Sequence, residues 1–240
     1  MSFSHFFKKI GVVLKGMIER NYYQIAPENL DYVKTKLIQV FNDNNSTIQN
    51  VSTFLFVKLG TQKWPEFSQL LINNLSSDNN EHINTSLKYI TRILEDLEED
   101  EVDSHLLTEL TPKLLSFCTS AWPVSTQESA LKSLNKIATM MPPFFISNLD
   151  NYFNILLEIA NSQNSNLRKL SCEGLKQISE RRRDIINGAL ERVFEALLKL
   201  TMDPDNQVRK EAVGFWNDFF LDDENEFANR PELIQNTLTM

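Results

Sequence analysis

Ala130, Ser171 and Ala212 are followed by Leu134, Leu175 and Trp216 and then by Ile137, Ile178 and Phe219, so one three-position pattern returns every 41 residues. Within each copy the positions fall at i, i+4 and i+7, which is one face of a helix. A unit of this length has room for two helices and a turn. Its apolar face is buried only when a neighbouring unit stacks on it, and chains built this way are helical solenoids that act mainly as extended binding surfaces. The repeat therefore argues for recognition and against catalysis.

The rest of the chain follows the same grammar. Leu30, Val33, Leu37 and Phe41 make one apolar stripe, broken by Asn42-Asp43-Asn44-Asn45, and Ser46 then reads as the N-cap of a return helix carrying Ile48, Val51, Leu55 and Leu59. Trp64-Pro65 opens a second pair through Phe67, Leu70, Leu71 and Leu75, which turns at residues 77–80 and returns along Ile83, Leu87, Ile90 and Leu94. A third pair uses Leu106, Leu110, Leu114 and Phe117, then Leu131, Leu134 and Ile137, until Met141-Pro142-Pro143 stops it, because proline has no amide hydrogen and clashes with the preceding turn. Phe145, Leu149, Phe153, Leu156 and Ala160 lead a fourth pair that returns through Leu167, Leu170, Leu175 and Ile178. The fifth runs from Leu190, Val193, Phe194, Leu197 and Leu198 to Val208, Ala212, Phe215, Trp216 and Phe219. The expected fold is all-α: a single solenoid over residues 1–240, with five full helix pairs and a partial unit at each end. Residues 4–20 read as a lone return helix, and residues 231–238 as the start of a further helix with Leu233, Ile234 and Leu238 on one stripe. Neither end reads as a polar cap. A segment of a longer superhelix is expected, with the terminal stripe prone to fray or self-associate.

Composition narrows the chemistry. A formal charge of −8 opposes a phosphate-backbone footprint and suits a basic protein partner instead, so no nucleic acid is expected. Six glycines spread singly leave no phosphate-binding loop. His5, His82 and His105 are scattered, and Cys118 and Cys172 match no metal or redox spacing, so no metal, cofactor or catalytic residue is assigned and both cysteines read as buried free thiols. No apolar run reaches membrane-spanning length, and Lys8, Lys9 and Lys15 read as part of the first helix rather than as a targeting leader. Arg181-Arg182-Arg183 reads as a solvated helix end, where cations complement the dipole.

Two turns carry a finer pattern. Asn164-Ser165-Asn166-Leu167-Arg168-Lys169 and the run from Asp203 through Val208-Arg209-Lys210 resemble the acid-or-amide, aliphatic, arginine pattern of HEAT repeats. That resemblance implies a ladder of contacts between successive turns, with Asp203, Arg209 and Arg168 as its members and Asn161 or Ser162 in the acid position of the earlier turn. Gln49 and Asn84 stand where arginine would be in the amino-terminal half.

An ordered set of segments also resembles the amino-terminal arch of the transportin-type karyopherin-β nuclear import receptors. It comprises Gly11-Val12-Val13-Leu14-Lys15, Gln62-Lys63-Trp64-Pro65-Glu66, Asn166-Leu167-Arg168-Lys169, Asp203 to Val208, and Glu211-Ala212-Val213-Gly214-Phe215-Trp216. The resemblance implies a nuclear import receptor, moving between cytoplasm and nucleus, whose first return helices bind the GTP form of the small GTPase Ran. It also implies shallow grooves for Phe-Gly nucleoporins, which Phe153 and Phe194 would rim. Import cargo belongs to a carboxy-terminal arch that this sequence lacks, as it lacks the long acidic loop that couples Ran binding to cargo release.

The acidic run from Glu95 to Asp103 has two readings. It is a solvated connector biasing acids toward a helix N-terminus, or a docking patch in which Glu95, Asp96 and Asp103 meet a basic partner. Two functions from different classes stay in view beside each other: a Ran-binding transport receptor, and a HEAT scaffold for a protein complex such as a phosphatase. An enzyme is the weakest reading, because no convergent site can be assembled.

Overall fold

The computed structural model is described over residues 16, 20, 24–41, 43, 45–60, 64–96 and 104–221. The partial helix expected over residues 4–20 lies outside these except at residues 16 and 20, and that expected over residues 231–238 lies outside them entirely. Among the described residues, the longer helices pair into five antiparallel hairpins. They are α1 (Pro27–Gln39) with α2 (Ser46–Gly60), α3 (Pro65–Leu75) with α4 (Asn80–Asp96), and α5 (Ser104–Phe117) with α6 (Val124–Met140). After the short α7 (Pro143–Ile146) come α8 (Leu149–Ile159) with α9 (Ser165–Arg181), and after the short α10 (Arg183–Gly188) come α11 (Leu190–Thr201) with α12 (Asn206–Leu221). The chain forms two compact units, residues 1–144 and 145–240. In the first, α2, α4 and α6 pack side by side as return helices and α3 packs on α5; in the second, α9 packs on α12 and α8 on α11.

Turn chemistry starts the return helices. The Asn164 side chain accepts from the Leu167 amide at 3.0 Å, and Asp205 accepts from Gln207 at 2.8 Å. Asn79 accepts from Glu81 at 2.9 Å, and Asn45 from Ile48 at 3.4 Å. Each satisfies an amide that the first helical turn leaves without a partner. Ser46, expected as a cap, is instead the first residue of α2, and Asn45 takes its place. At the other end of α6, Met141 adopts a left-handed conformation with φ 45°, and the two prolines that follow forbid another turn.

The 41-residue echo marks where helices cross. Ala130, Ser171 and Ala212 are each fully buried as the seventh residue of α6, α9 and α12. Ser52 in α2 and Ser86 in α4 occupy the same seventh position and are buried too. A small side chain there lets the two backbones of a hairpin approach. The Ser171 hydroxyl reports how near they come, since it donates to the Leu156 carbonyl of α8 at 2.7 Å. Four and seven residues further along, Phe56 and Leu59, Ile90 and Ile93, Leu134 and Ile137, and Leu175 and Ile178 are buried as the core of each hairpin, as is Phe219 in the last.

Candidate interaction surface

Contacts between neighbouring hairpins recur at separations of 35 to 42 residues, the length of the repeat. A charged one joins the fourth and fifth hairpins through two parallel bonds. Arg168, from the first turn of α9, grips Asp203 at the α11–α12 turn with both edges of its fork, Nε to Oδ2 at 2.6 Å and Nη2 to Oδ1 at 2.8 Å. Its third nitrogen donates to the Ser162 carbonyl of its own turn at 2.8 Å. Side-chain exposure is 13% for Arg168 and 5% for Asp203, so the pair is shielded from water. The guanidinium holds the Asp203 carboxyl below its ordinary value, with a further bond from the Asp205 amide at 2.9 Å acting the same way, and the carboxylate in turn raises Arg168. Planar, bidentate and charge-assisted, this is the strongest kind of polar tie a surface turn can make.

Arg209 sits at the same place one repeat later. Its Nη1 donates to the Asp203 carbonyl at 2.6 Å, the bond that Arg168 makes to Ser162. Asp203 thus serves two arginines, its carboxylate facing Arg168 and its carbonyl facing Arg209. In the first unit amides and hydroxyls take over. Asn84 of α4 accepts from Thr126 of α6 at 2.8 Å, Thr91 and Ser133 share a bond of 2.8 Å, and Gln127 closes its own turn by donating to the Trp122 carbonyl at 2.7 Å. These neutral rungs carry no acid–arginine signature.

The exposed faces of the return helices carry charge. On α4, Glu95 is exposed and pairs with Arg92 at 3.1 Å, while Asp96 ends the helix with its side chain outside the described residues, as Asp103 is entirely. On α9 and α12, Lys176 meets Asp218 at 2.5 Å and Lys169 meets Glu173 at 3.2 Å. Sequence reasoning missed the α9–α12 tie, because Lys176 and Asp218 become neighbours only when two return helices lie in register.

Two expectations for surface residues change. Phe153, expected at the rim of a groove, is only 4% exposed because α11 covers it, with Arg192 over its ring and donating to Asn154 at 2.9 Å. Phe194 is half-buried against Trp216, ring centroids 4.5 Å apart. Arg183 is not a solvated end. It lies over the Phe219 ring at 4.4 Å and donates to the Phe219 carbonyl at 2.7 Å near the C-terminus of α12, where a cation complements the helix dipole.

Cys118 and Cys172 are buried free thiols, and burial pushes both up to about 12, far from the thiolate that reactivity requires. Among the described residues no cluster of His, Cys, Asp and Glu is arranged to hold a metal ion, and no helix is long and apolar enough to cross a membrane. Within each unit, the arrangement offers return-helix faces held in register by their rungs, a surface suited to binding.

Residues 125–219 match the family model of the Vacuolar 14 Fab1-binding region. Over 216 residues, 86% of this chain, the sequence is 26% identical to transportin of Dictyostelium discoideum, and that stretch is 23% of the relative's length. A crystal structure of importin β matches 90% of this chain and 29% of its own with a TM-score of 0.72 at 18% identity. A structure of Kap95p, described as inducing the switch loops of RanGDP to adopt the GTP-bound conformation, matches 92% of this chain and 28% of its own with a TM-score of 0.69 at 15% identity. At such identities the structural likeness establishes the fold. The chain spans about a quarter of the length of the transportin it matches. Its fold is the all-α HEAT-type stack of helix hairpins, and by sequence the chain is a relative of the transportin and importin-β group, the karyopherin-β receptors.

Proposed function

We propose that this chain is a nuclear transport receptor-like module that binds GTP-bound Ran on the return helices of its first hairpins and acts in nucleocytoplasmic protein transport. The observation that carries this reading is the match to transportin along 86% of the chain, joined to a fold shared with a Kap95p structure that engages Ran. The mechanism is binding and release: no bond is broken, no cofactor is used, and neither nucleic acid nor a membrane is a partner. Glu95, Asp96 and Asp103 supply negative charge to a basic partner surface, which raises the rate of encounter more than the affinity. Phe-Gly nucleoporins are secondary partners, import cargo is not carried on this segment, and the working compartments are cytoplasm and nucleus.

Calorimetry of the 240-residue chain with Ran loaded with GTP or with GDP tests this directly. GTP-selective binding is expected, with a slower association for Glu95→Lys. Absence of binding in both nucleotide states, with helicity intact by circular dichroism, overturns it.

A second reading rests on the match of residues 125–219 to the Vacuolar 14 Fab1-binding region. Here the chain is a HEAT scaffold that organises an enzyme complex and has no transport role. A scaffold does not sense the nucleotide on Ran, so the same titration separates the two.

A further inference from the structure

The return helices differ in charge at equivalent places. Two residues beyond the buried seventh position stand Lys88 in α4 and Lys132 in α6, but Glu173 in α9 and Gly214 in α12. One turn further on stand Arg92 and Lys136, but Gln177 and Asp218. The same places are therefore cationic on α4 and α6, and acidic or neutral on α9 and α12. The cationic face belongs to a chain whose formal charge is −8.

Packing brings these cations onto one surface. Asn84 meets Thr126 and Thr91 meets Ser133, each pair 42 residues apart, so α4 and α6 run parallel in a fixed register. In that register Lys88 lies level with Ala130, and Lys132 follows about 3 Å further along the axis. Lys88 and Lys132 are exposed and Lys136 is half-buried. Among the described residues none of these three lysines makes an ion pair, and Glu128, one turn before Lys132, lies outside pairing distance. On α9, by contrast, Lys169 is paired with Glu173 and Lys176 with Asp218. Lys132 and Lys136 stand at i and i+4, a like-charge spacing that works against the helix carrying it. A partner of opposite charge reverses that sign.

The chemistry of the face narrows that partner. α6 carries no Phe, Tyr or Trp and Tyr89 of α4 is buried, so no ring is offered for a base to stack on. The guanidinium of Arg92 already engages Glu95 at 3.1 Å, which leaves point charges rather than a fork for phosphate. Lys132 and Lys136 are about 6 Å apart along α6, close to the roughly 7 Å between alternate side chains of an extended chain. We infer that the face shared by α4 and α6 is a docking surface for an extended acidic segment of a partner protein. Lys132 and Lys136 meet alternate carboxylates of that segment, and Lys88 meets it from the neighbouring helix. This partner is additional to Ran.

Titrating the full chain into a fluorescein-labelled peptide of alternating glutamate and serine, followed by anisotropy at low salt, tests it. Binding is expected, and it should fade as salt is added because the lysines face solvent. Lys132→Glu should weaken it about tenfold or more with helicity unchanged by circular dichroism, while Lys199→Glu on the exposed side of α11 should leave it within about twofold. No binding of the peptide overturns the inference. So does equal weakening by the two variants, or an oligothymidylate of the same charge bound as tightly as the peptide, which marks a general attraction for polyanions. The titration contains no Ran, so its result is separate from that of the nucleotide test.

Discussion

Between the first and second hairpins five rings meet: Phe56 lies against Phe41, Trp64, Phe67 and Tyr89 with centroids 5.3, 5.6, 4.8 and 4.9 Å away. Between the fourth and fifth, a shielded guanidinium and carboxylate meet instead. Both junctions hold consecutive copies of one repeat, and both use its seventh position differently. Ser52 shares a hydrogen bond with the Tyr89 hydroxyl of the next return helix at 3.2 Å, whereas Ser171 donates to its own hairpin. The difference teaches that stacking demands a filled interface but leaves the chemistry of filling open. Rings act through area and dispersion, which are non-directional and insensitive to pH. The arginine fork fixes angle and register, and it depends on the charge of one carboxyl group.

Truncating Phe56 to alanine should have the largest effect. It removes a fully buried ring from four neighbours and should cost about 4 kcal/mol. Hydrogen exchange should show the loss in residues 27–96, with residues 145–221 nearly unchanged; equal loosening of both would erase the contrast drawn between the junctions. Next comes Asp203→Ala, which leaves Arg168 shielded and unpaired and should cost about 3 kcal/mol by urea unfolding. Replacing both partners with apolar residues, Arg168→Met with Asp203→Leu, should recover most of that, because removing a charge and its counter-charge together leaves nothing uncompensated.

Acid should separate the junctions without mutation. Asp203 has a folded-state value below its unfolded one, so its contribution is fully present above the ordinary carboxylate value of about 4 and is lost as pH falls through the depressed native value. Protection of the turn around residues 203–209 should therefore drop in that window while protection around Phe56 holds. Asp203→Asn should remove most of the pH dependence of that turn. Ser171→Ala should cost about 1 kcal/mol, the net worth of one buried hydrogen bond. Lys176→Ala, at a pair whose side chains are 34% and 47% exposed, should change stability by no more than about 0.5 kcal/mol.

Much of this was legible in the chain, and the parts that were not share a cause. Stripe positions such as Leu37, Leu71, Leu87, Leu114 and Leu156 are the core because helical spacing and burial are one constraint seen twice. Ser52 and Ser86 belong to the same seventh position as Ala130 and Ser171, yet the fixed 41-residue step does not reach them, because the connectors between the earlier helices differ in length. Phe153 is buried as its place on the apolar stripe predicts, and the groove rim that the resemblance implied there is covered by α11.

The candidate interface follows the same division. Arg168, Asp203 and Arg209 were singled out through the resemblance of their turns to the HEAT pattern, which is legible because its residues stand close together in sequence. That Arg168 reaches forward to Asp203, that Lys176 faces Asp218, and that Arg183 caps the far end of α12 depend on how one hairpin lies on the next. The sequence by itself determined the helices, their pairing and the fold class, because periodicity and turn residues act over a few positions. Tertiary structure decided the partners across each junction and the chemistry that seals it, because those contacts link residues some 35 to 42 positions apart, which register between packed helices alone brings together.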